Sequence, residues 1–228
     1  MQRSGYGQFC PVSVAAEIVA ERWTPLILRE LLMESHRFND ILRGVPLISR
    51  SLLSKRLKEL EHAGLVVHRA PPAVPIPGYY LTEAGEALRP IIMALGEWGH
   101  RYVRSNFEHQ NLDPSLLMWD IRRRARAEYL PAGRTLIEFA FIDQPRADRN
   151  WWLLKEPESD THDLCLHHPG YDVDLTITTD LLTMTRIWMG DLDIPVALRT
   201  RALRMEGLNV LRLSFQDWIG LSVFADVV

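Results

Sequence analysis

Residues 49–64 read SRSLLSKRLKELEHAG. Leu53, Leu57 and Leu60 return at helical spacing with Leu52 on their flank, the stripe that a helix buries against a core. Ser49 stands where an N-cap belongs and Gly64 where a C-terminal glycine belongs. The spacing therefore predicts a helix from Arg50 to about His62, roughly 20 Å long at ~1.5 Å per residue. Opposite the stripe lie Arg50, Ser51, Ser54, Lys55 and Lys58, all cationic or hydroxylated. A merely solvated face would mix carboxylates among them, yet Glu59 and Glu61 come only in the last turn. A face pressed against phosphates and base edges needs this composition.

Upstream, Val14, Ile18 and Val19 mark a helix over Val12–Ala20. Thr24-Pro25 predicts an N-cap followed by proline at the first helical position, opening a helix through Leu26, Ile27, Leu31 and Leu32. A short helix through Phe38, Ile41 and Leu42 follows, broken by Gly44 and Pro46. Downstream, Leu65–Arg69 has strand character, Pro71–Gly78 is a proline-rich loop, and Tyr79–Thr82 returns as a second strand. Helix, turn, basic helix and hairpin in that order make a winged helix-turn-helix arrangement.

The 228 residues carry a formal net charge of −3, which taken alone argues against nucleic acid. The sum hides an asymmetry: residues 1–112 are net +2 and residues 113–228 net −5. Within 36–69, seven Lys and Arg face three carboxylates, with His36, His62 and His68 in addition. Counterion release depends on charge at the contact surface, so a local patch suffices for phosphate binding. A hydrophobic content of 47% against 24% charged residues excludes global disorder. The start, MQRSGYGQFC, has no apolar core of signal-peptide length and no run approaches a membrane span, so a cytoplasmic protein without membrane association is expected. Cys10 and Cys165 are too few for a disulfide framework.

Cys10-Pro11, Arg22-Trp23-Thr24, Arg37-Phe38-Asn39, Leu53-Ser54-Lys55-Arg56-Leu57-Lys58-Glu59-Leu60, Gly64-Leu65-Val66 and Tyr80-Leu81-Thr82-Glu83-Ala84-Gly85 together resemble the HxlR-type winged-helix transcription regulators. The likeness covers about residues 8–105. Glu21-Arg22 departs from the Gly-Lys usual before the tryptophan. The resemblance implies a dimeric DNA-binding regulator, commonly a repressor. It also implies a candidate oxidant- or electrophile-sensing thiol at Cys10, with an inert cysteine as the alternative.

Beyond the wing, Ala84, Ala87, Leu88, Ile91, Ile92, Leu95, Trp98, Tyr102 and Val103 form an apolar stripe wider than a small domain covers by itself, so a homodimer is expected, with packing on the second half as the alternative. Pro90 should kink or split this helix. In the second half, Leu136–Ile142, Trp151–Lys155, Asp163–His167 and Val173–Thr178 read as strands. Helices follow around Leu181–Met189, Ile194–Arg199 and Leu208–Phe224. Strands first and helices afterwards give an α+β class. The run Asp172–Asp180 with Trp188-Met189-Gly190-Asp191, Ala197-Leu198-Arg199 and Leu203–Gly207 resembles a sterol-carrier-protein-type lipid-binding domain over about 115–228. That likeness implies an apolar tunnel lined by Phe139, Phe141, Leu181, Met184, Ile187 and Trp188, with a filled core as the alternative.

His162, Asp163, Cys165, His167 and His168 are the only tempting ligand cluster, but no second motif supports them and no metal is expected. No phosphate-cradling glycine loop, nucleophile elbow or H-E-x-x-H pair is present, so neither a cofactor nor enzymatic activity is expected. The expected architecture is thus α+β: a winged helix-turn-helix domain over 1–110, then a sterol-carrier-like domain over 111–228 with one sheet covered by helices. The expected partners are a pseudopalindromic double-stranded operator and an apolar effector. DNA contacts are assigned to Arg37, Ser49, Arg50, Ser51, Ser54, Lys55, Lys58 and Arg69. A lipid carrier, or an enzyme built on the second-half pocket with the winged domain mediating protein contacts, is the alternative.

Overall fold

In the computed structural model, which describes residues 5–70, 77–103 and 112–227, the leucine stripe is the inner face of a three-helix core. Helices α1 (Pro11–Val19), α2 (Thr24–Leu32), α3 (Phe38–Gly44) and α4 (Arg50–His62) are followed by a hairpin of β1 (Val66–Arg69) and β2 (Gly78–Leu81). Leu53, Leu57 and Leu60 are buried with Ile27, Leu28 and Leu31 of α2, Ile41 of α3 and Val66 of β1 in one apolar cluster. Gly64 adopts φ +72°, the left-handed conformation that ends α4 and turns the chain into the hairpin. The strands are antiparallel, with Val66 opposite Leu81 and Arg69 opposite Gly78. Most of the loop that joins them, residues 71–76, lies outside the described residues.

One local expectation is corrected. Thr24 does not cap α2: Trp23, with φ 77°, occupies that position and Thr24 is the first helical residue. The Thr24 amide donates to Glu21 O at 2.9 Å, so the turn before the helix already holds it. Pro90 does split its helix. Short α5 (Glu83–Glu86) is capped by Thr82, and α6 (Arg89–Tyr102) carries Pro90 in its first turn, where a missing N–H costs nothing.

The chain divides into two units, Met1–Gly96 and Glu97–Val228. The boundary expected at 110/111 lies outside the described residues. The second unit is built on a five-stranded sheet of β3 (Thr135–Phe141), β4 (Asn150–Lys155), β5 (His162–Cys165), β6 (Leu175–Thr179) and β7 (Leu203–Gly207), in the order β5-β4-β3-β6-β7. β3 and β6 run parallel and the other neighbours antiparallel. Helices α7 (Pro114–Arg124), α8 (Leu181–Trp188), α9 (Ile194–Arg199), α10 (Asn209–Leu213) and α11 (Phe215–Ile219) complete the unit, with a 3-10 turn at Ala127–Tyr129. The α+β class therefore holds.

Two of these elements were not expected from the pattern. At α7, Asp113 Oδ1 accepts from the amides of Ser115 and Leu116 and Pro114 occupies the first turn, a cap-and-proline start that the sequence does carry. β7 is an edge strand in which Leu203 is buried while Arg204 and Glu206 are exposed. Its apolar alternation is too short to stand out. β5 also ends at Cys165, which leaves His167 off the strand.

Candidate nucleic-acid interface

The first unit positions α4 through its turns. Gly44 closes α3, and a Cβ there would fall inside contact distance of the Glu30 carboxylate. Glu30 is buried and paired with Arg29 at 2.7 Å, and Arg29 Nη2 donates onward to Gly44 O at 2.7 Å. The helix preceding the motif is thereby bolted to the end of α3. Val45 and Ile48 then anchor the turn in the core while Leu47 is left exposed. Ser49 starts α4, its Oγ accepting from Leu52 N at 3.3 Å.

Along α4, Ser49, Arg50, Ser51, Lys55 and Lys58 are exposed and Ser54 is half-buried, on the side away from the buried leucines. Arg56 is excluded from this surface. Its Nη2 pairs with Glu21 at 2.8 Å and its Nη1 with Glu59 at 2.7 Å, which neutralises the charge within the domain. Arg50 is held differently: Nη2 donates to Asn39 Oδ1 at 2.8 Å and the guanidinium carbon sits 5.4 Å from the Phe38 ring centroid. Sequence spacing carries no signal for that contact, because Asn39 lies on the preceding helix.

Arg37 is exposed at the N-cap of α3 and Arg69 is exposed at the end of β1. His36 connects the two regions. Its carbonyl accepts from Tyr79 N at 2.8 Å and its ring stacks on Tyr80 at 4.1 Å. Arg69 lies over the other partner of that stack, 5.8 Å from the Tyr80 ring centroid. His68 packs on Tyr79 at 4.7 Å, and burial together with the Glu61 carboxylate pushes the Tyr79 phenol up from its ordinary value. The root of the hairpin thus carries two aromatic pairs, His36 on Tyr80 and His68 on Tyr79, with the Arg69 guanidinium over Tyr80.

In the second unit Phe139 and Phe141 of β3 and Leu181, Met184, Ile187 and Trp188 of α8 do come together. All six are buried in one apolar cluster that also contains Phe215 and Trp218. Cys10 is exposed and free at the N-cap of α1, whereas Cys165 is half-buried. His162 is buried, Asp163, His167 and His168 are exposed, and among the described residues no group of three His, Cys, Asp or Glu is placed to hold a metal. Nor is any helix among them long and apolar enough to cross a membrane.

Comparison with known proteins places the likeness on the first unit and the start of the second. The model of the HxlR-like helix-turn-helix family matches residues 18–107. An uncharacterized HTH-type transcriptional regulator of Bacillus subtilis, YvaP, is 37% identical over 102 residues, 44% of this chain and 94% of that protein. An uncharacterized HTH-type transcriptional regulator of Methanothermobacter thermautotrophicus is 39% identical over 94 residues, 41% of this chain and 72% of its own length. The HTH-type transcriptional regulator YodB of B. subtilis is 34% identical over 95 residues, 41% of this chain and 85% of its own. The solved structure of quinone-bound YodB is similar at 34% identity and a TM-score of 0.35, covering 41% of this chain and 99% of that one.

Proposed function

The chain belongs to the HxlR-like helix-turn-helix family of transcriptional regulators, and from that premise we propose how it meets DNA and what controls it. It is a DNA-binding regulator. The observation that carries the reading is the outer face of α4, where Ser49, Arg50, Ser51, Lys55 and Lys58 are exposed with no carboxylate among them. Two copies of α4 enter successive major grooves of a pseudopalindromic operator as a repressor dimer, with Arg37, Ser54 and Arg69 adding contacts.

Dimerisation is supported by α6. Ile91, Leu95, Trp98 and Tyr102, spaced 4-3-4, are each more than half exposed, the seam that a second helix would cover. Helix α1 adds to this, since it has no buried residue of its own. Leu95→Glu is expected to shift the protein to monomer in sedimentation velocity. The relatives are transcriptional regulators, which fits a non-enzyme.

An apolar effector in the second unit is the proposed control. The second reading there is a filled interior, and the near-complete burial of Phe139, Phe141, Leu181 and Met184 favours it. Titration with a fluorescent fatty acid separates the two: saturable binding lost in Met184→Trp supports the effector, and no binding supports the filled core. The regulator reading is tested by mobility shift on fragments around the protein's own promoter at two salt concentrations. Specific, salt-sensitive binding weakened in Arg50→Ala is expected. Unchanged affinity in that variant would remove α4 from the interface.

A further inference from the structure

We propose that Asn39 is a specificity-determining positioning residue, whose side chain fixes the Arg50 guanidinium in one orientation to read a guanine in the major groove. The inference rests on α4 being the DNA-reading helix. Arg50 is the first residue of α4, the end of a recognition helix that reaches base edges. It is held on two sides by α3, through the 2.8 Å bond from Nη2 to Asn39 Oδ1 and the Phe38 ring beneath the guanidinium.

The chemistry of the partner is the decisive feature. Arg29, Arg43 and Arg56 in the same unit all pair with carboxylates, Glu30, Asp40 and Glu21 with Glu59. Those pairs cancel the charge and remove the arginine from use. Asn39 is neutral, so it orients Arg50 without cancelling its charge. One bond to Asn39 occupies one of the five N–H groups of a guanidinium. Two parallel donors remain for guanine O6 and N7, the commonest specific contact in this groove. An exposed arginine otherwise gives up several rotamers on docking; bonded to Asn39 and stacked on Phe38, Arg50 has already given them up.

The test uses the full chain and a site selected by the wild-type protein from random duplex DNA, followed by affinities for that site with each base pair changed in turn. Asn39→Leu keeps the charge of the protein and sits at an exposed position, so its melting curve should match the wild type. We expect it to lose five- to tenfold discrimination at one G·C pair while the salt dependence stays unchanged. Arg50→Lys should lose preference at the same pair, because an ammonium lacks the planar fork. Asn39→Asp keeps the acceptor but pairs the guanidinium with a carboxylate and cancels its charge, so it should bind all sequences more weakly and lose the preference at the same pair. Full discrimination at every pair in Asn39→Leu, or an equal loss on all sequences, would overturn the proposal. Failure of the wild type to select any sequence would instead overturn the α4 reading, and this inference with it.

Discussion

Lys155 and His162 face one another across β4 and β5, and both are buried. The Lys155 ammonium donates to the carbonyls of Pro131, Ala132 and Glu156 at 3.2–3.5 Å. His162 Nε2 has no hydrogen-bond partner among the described residues. Burial lowers the His162 pKa to about 4, helped by the nearby charges of Arg122 and Lys155 and opposed by Asp163 and Glu128. The folded state therefore holds this imidazole neutral where the unfolded chain, with an ordinary value near 6.5, takes up a proton. Its contribution to stability is fully present above pH 6.5 and is lost as pH falls from 6.5 towards 4, by up to roughly 3 kcal/mol. Urea unfolding at pH 7.5 and pH 4.5 should show that loss in the wild type and a smaller one in His162→Gln. Equal pH dependence in both proteins would contradict it.

Gly44 is a second point where one atom decides. An alanine there would place its Cβ against the Glu30 carboxylate, which is fully buried and cannot swing into solvent. Either the carboxylate loses its Arg29 pairing or α3 moves. Gly44→Ala is expected to destabilise the protein by about 1–3 kcal/mol, the usual cost of overpacking. A thermal melt within a degree of the wild type would show that the turn adapts freely.

The elements of the fold differ in how plainly the sequence encodes them. Leu53, Leu57 and Leu60 announce α4 because burial imposes a period that the sequence must carry, and Gly64 announces its end because its φ is positive. Trp23 announces nothing, since a left-handed tryptophan has no composition signal, and Thr24-Pro25 therefore places the helix start one residue late. β7 hid because an edge strand buries only alternate residues over a short stretch. The grip of Asn39 on Arg50 is a tertiary contact between two exposed polar side chains, and no periodicity encodes it. The basic face was readable as a surface; the orientation of its leading arginine was not.

The two cysteines should separate by reactivity. Cys10 is exposed at the N-cap of α1, whereas burial and the Asp163 carboxylate push the Cys165 thiol up from its ordinary value. Because the thiolate is the reacting form, iodoacetamide at pH 7.5 should label Cys10 at least tenfold faster than Cys165 in peptide mass maps. If Cys10 serves as the oxidant-sensing thiol, Cys10→Ser should also keep DNA binding intact after mild peroxide treatment that releases the wild type. Release of both proteins alike would place the sensitivity elsewhere.

Lys58 tests what kind of contact the middle of α4 makes. It is exposed, lies two turns into the helix, and carries no ion pair among the described residues. A lysine in that place is a point charge with three donors, suited to a phosphate rather than to a paired base edge. Lys58→Ala should therefore weaken binding to all sequences by a similar factor and leave base preferences as they were. The slope of log affinity against log salt should fall by about 1 for each α4 that loses a phosphate contact. In a dimer that is about 2 per operator. A slope change near 1 on a symmetric site would mean that only one α4 is engaged, and a changed base preference with an unchanged slope would mean that Lys58 reads bases after all.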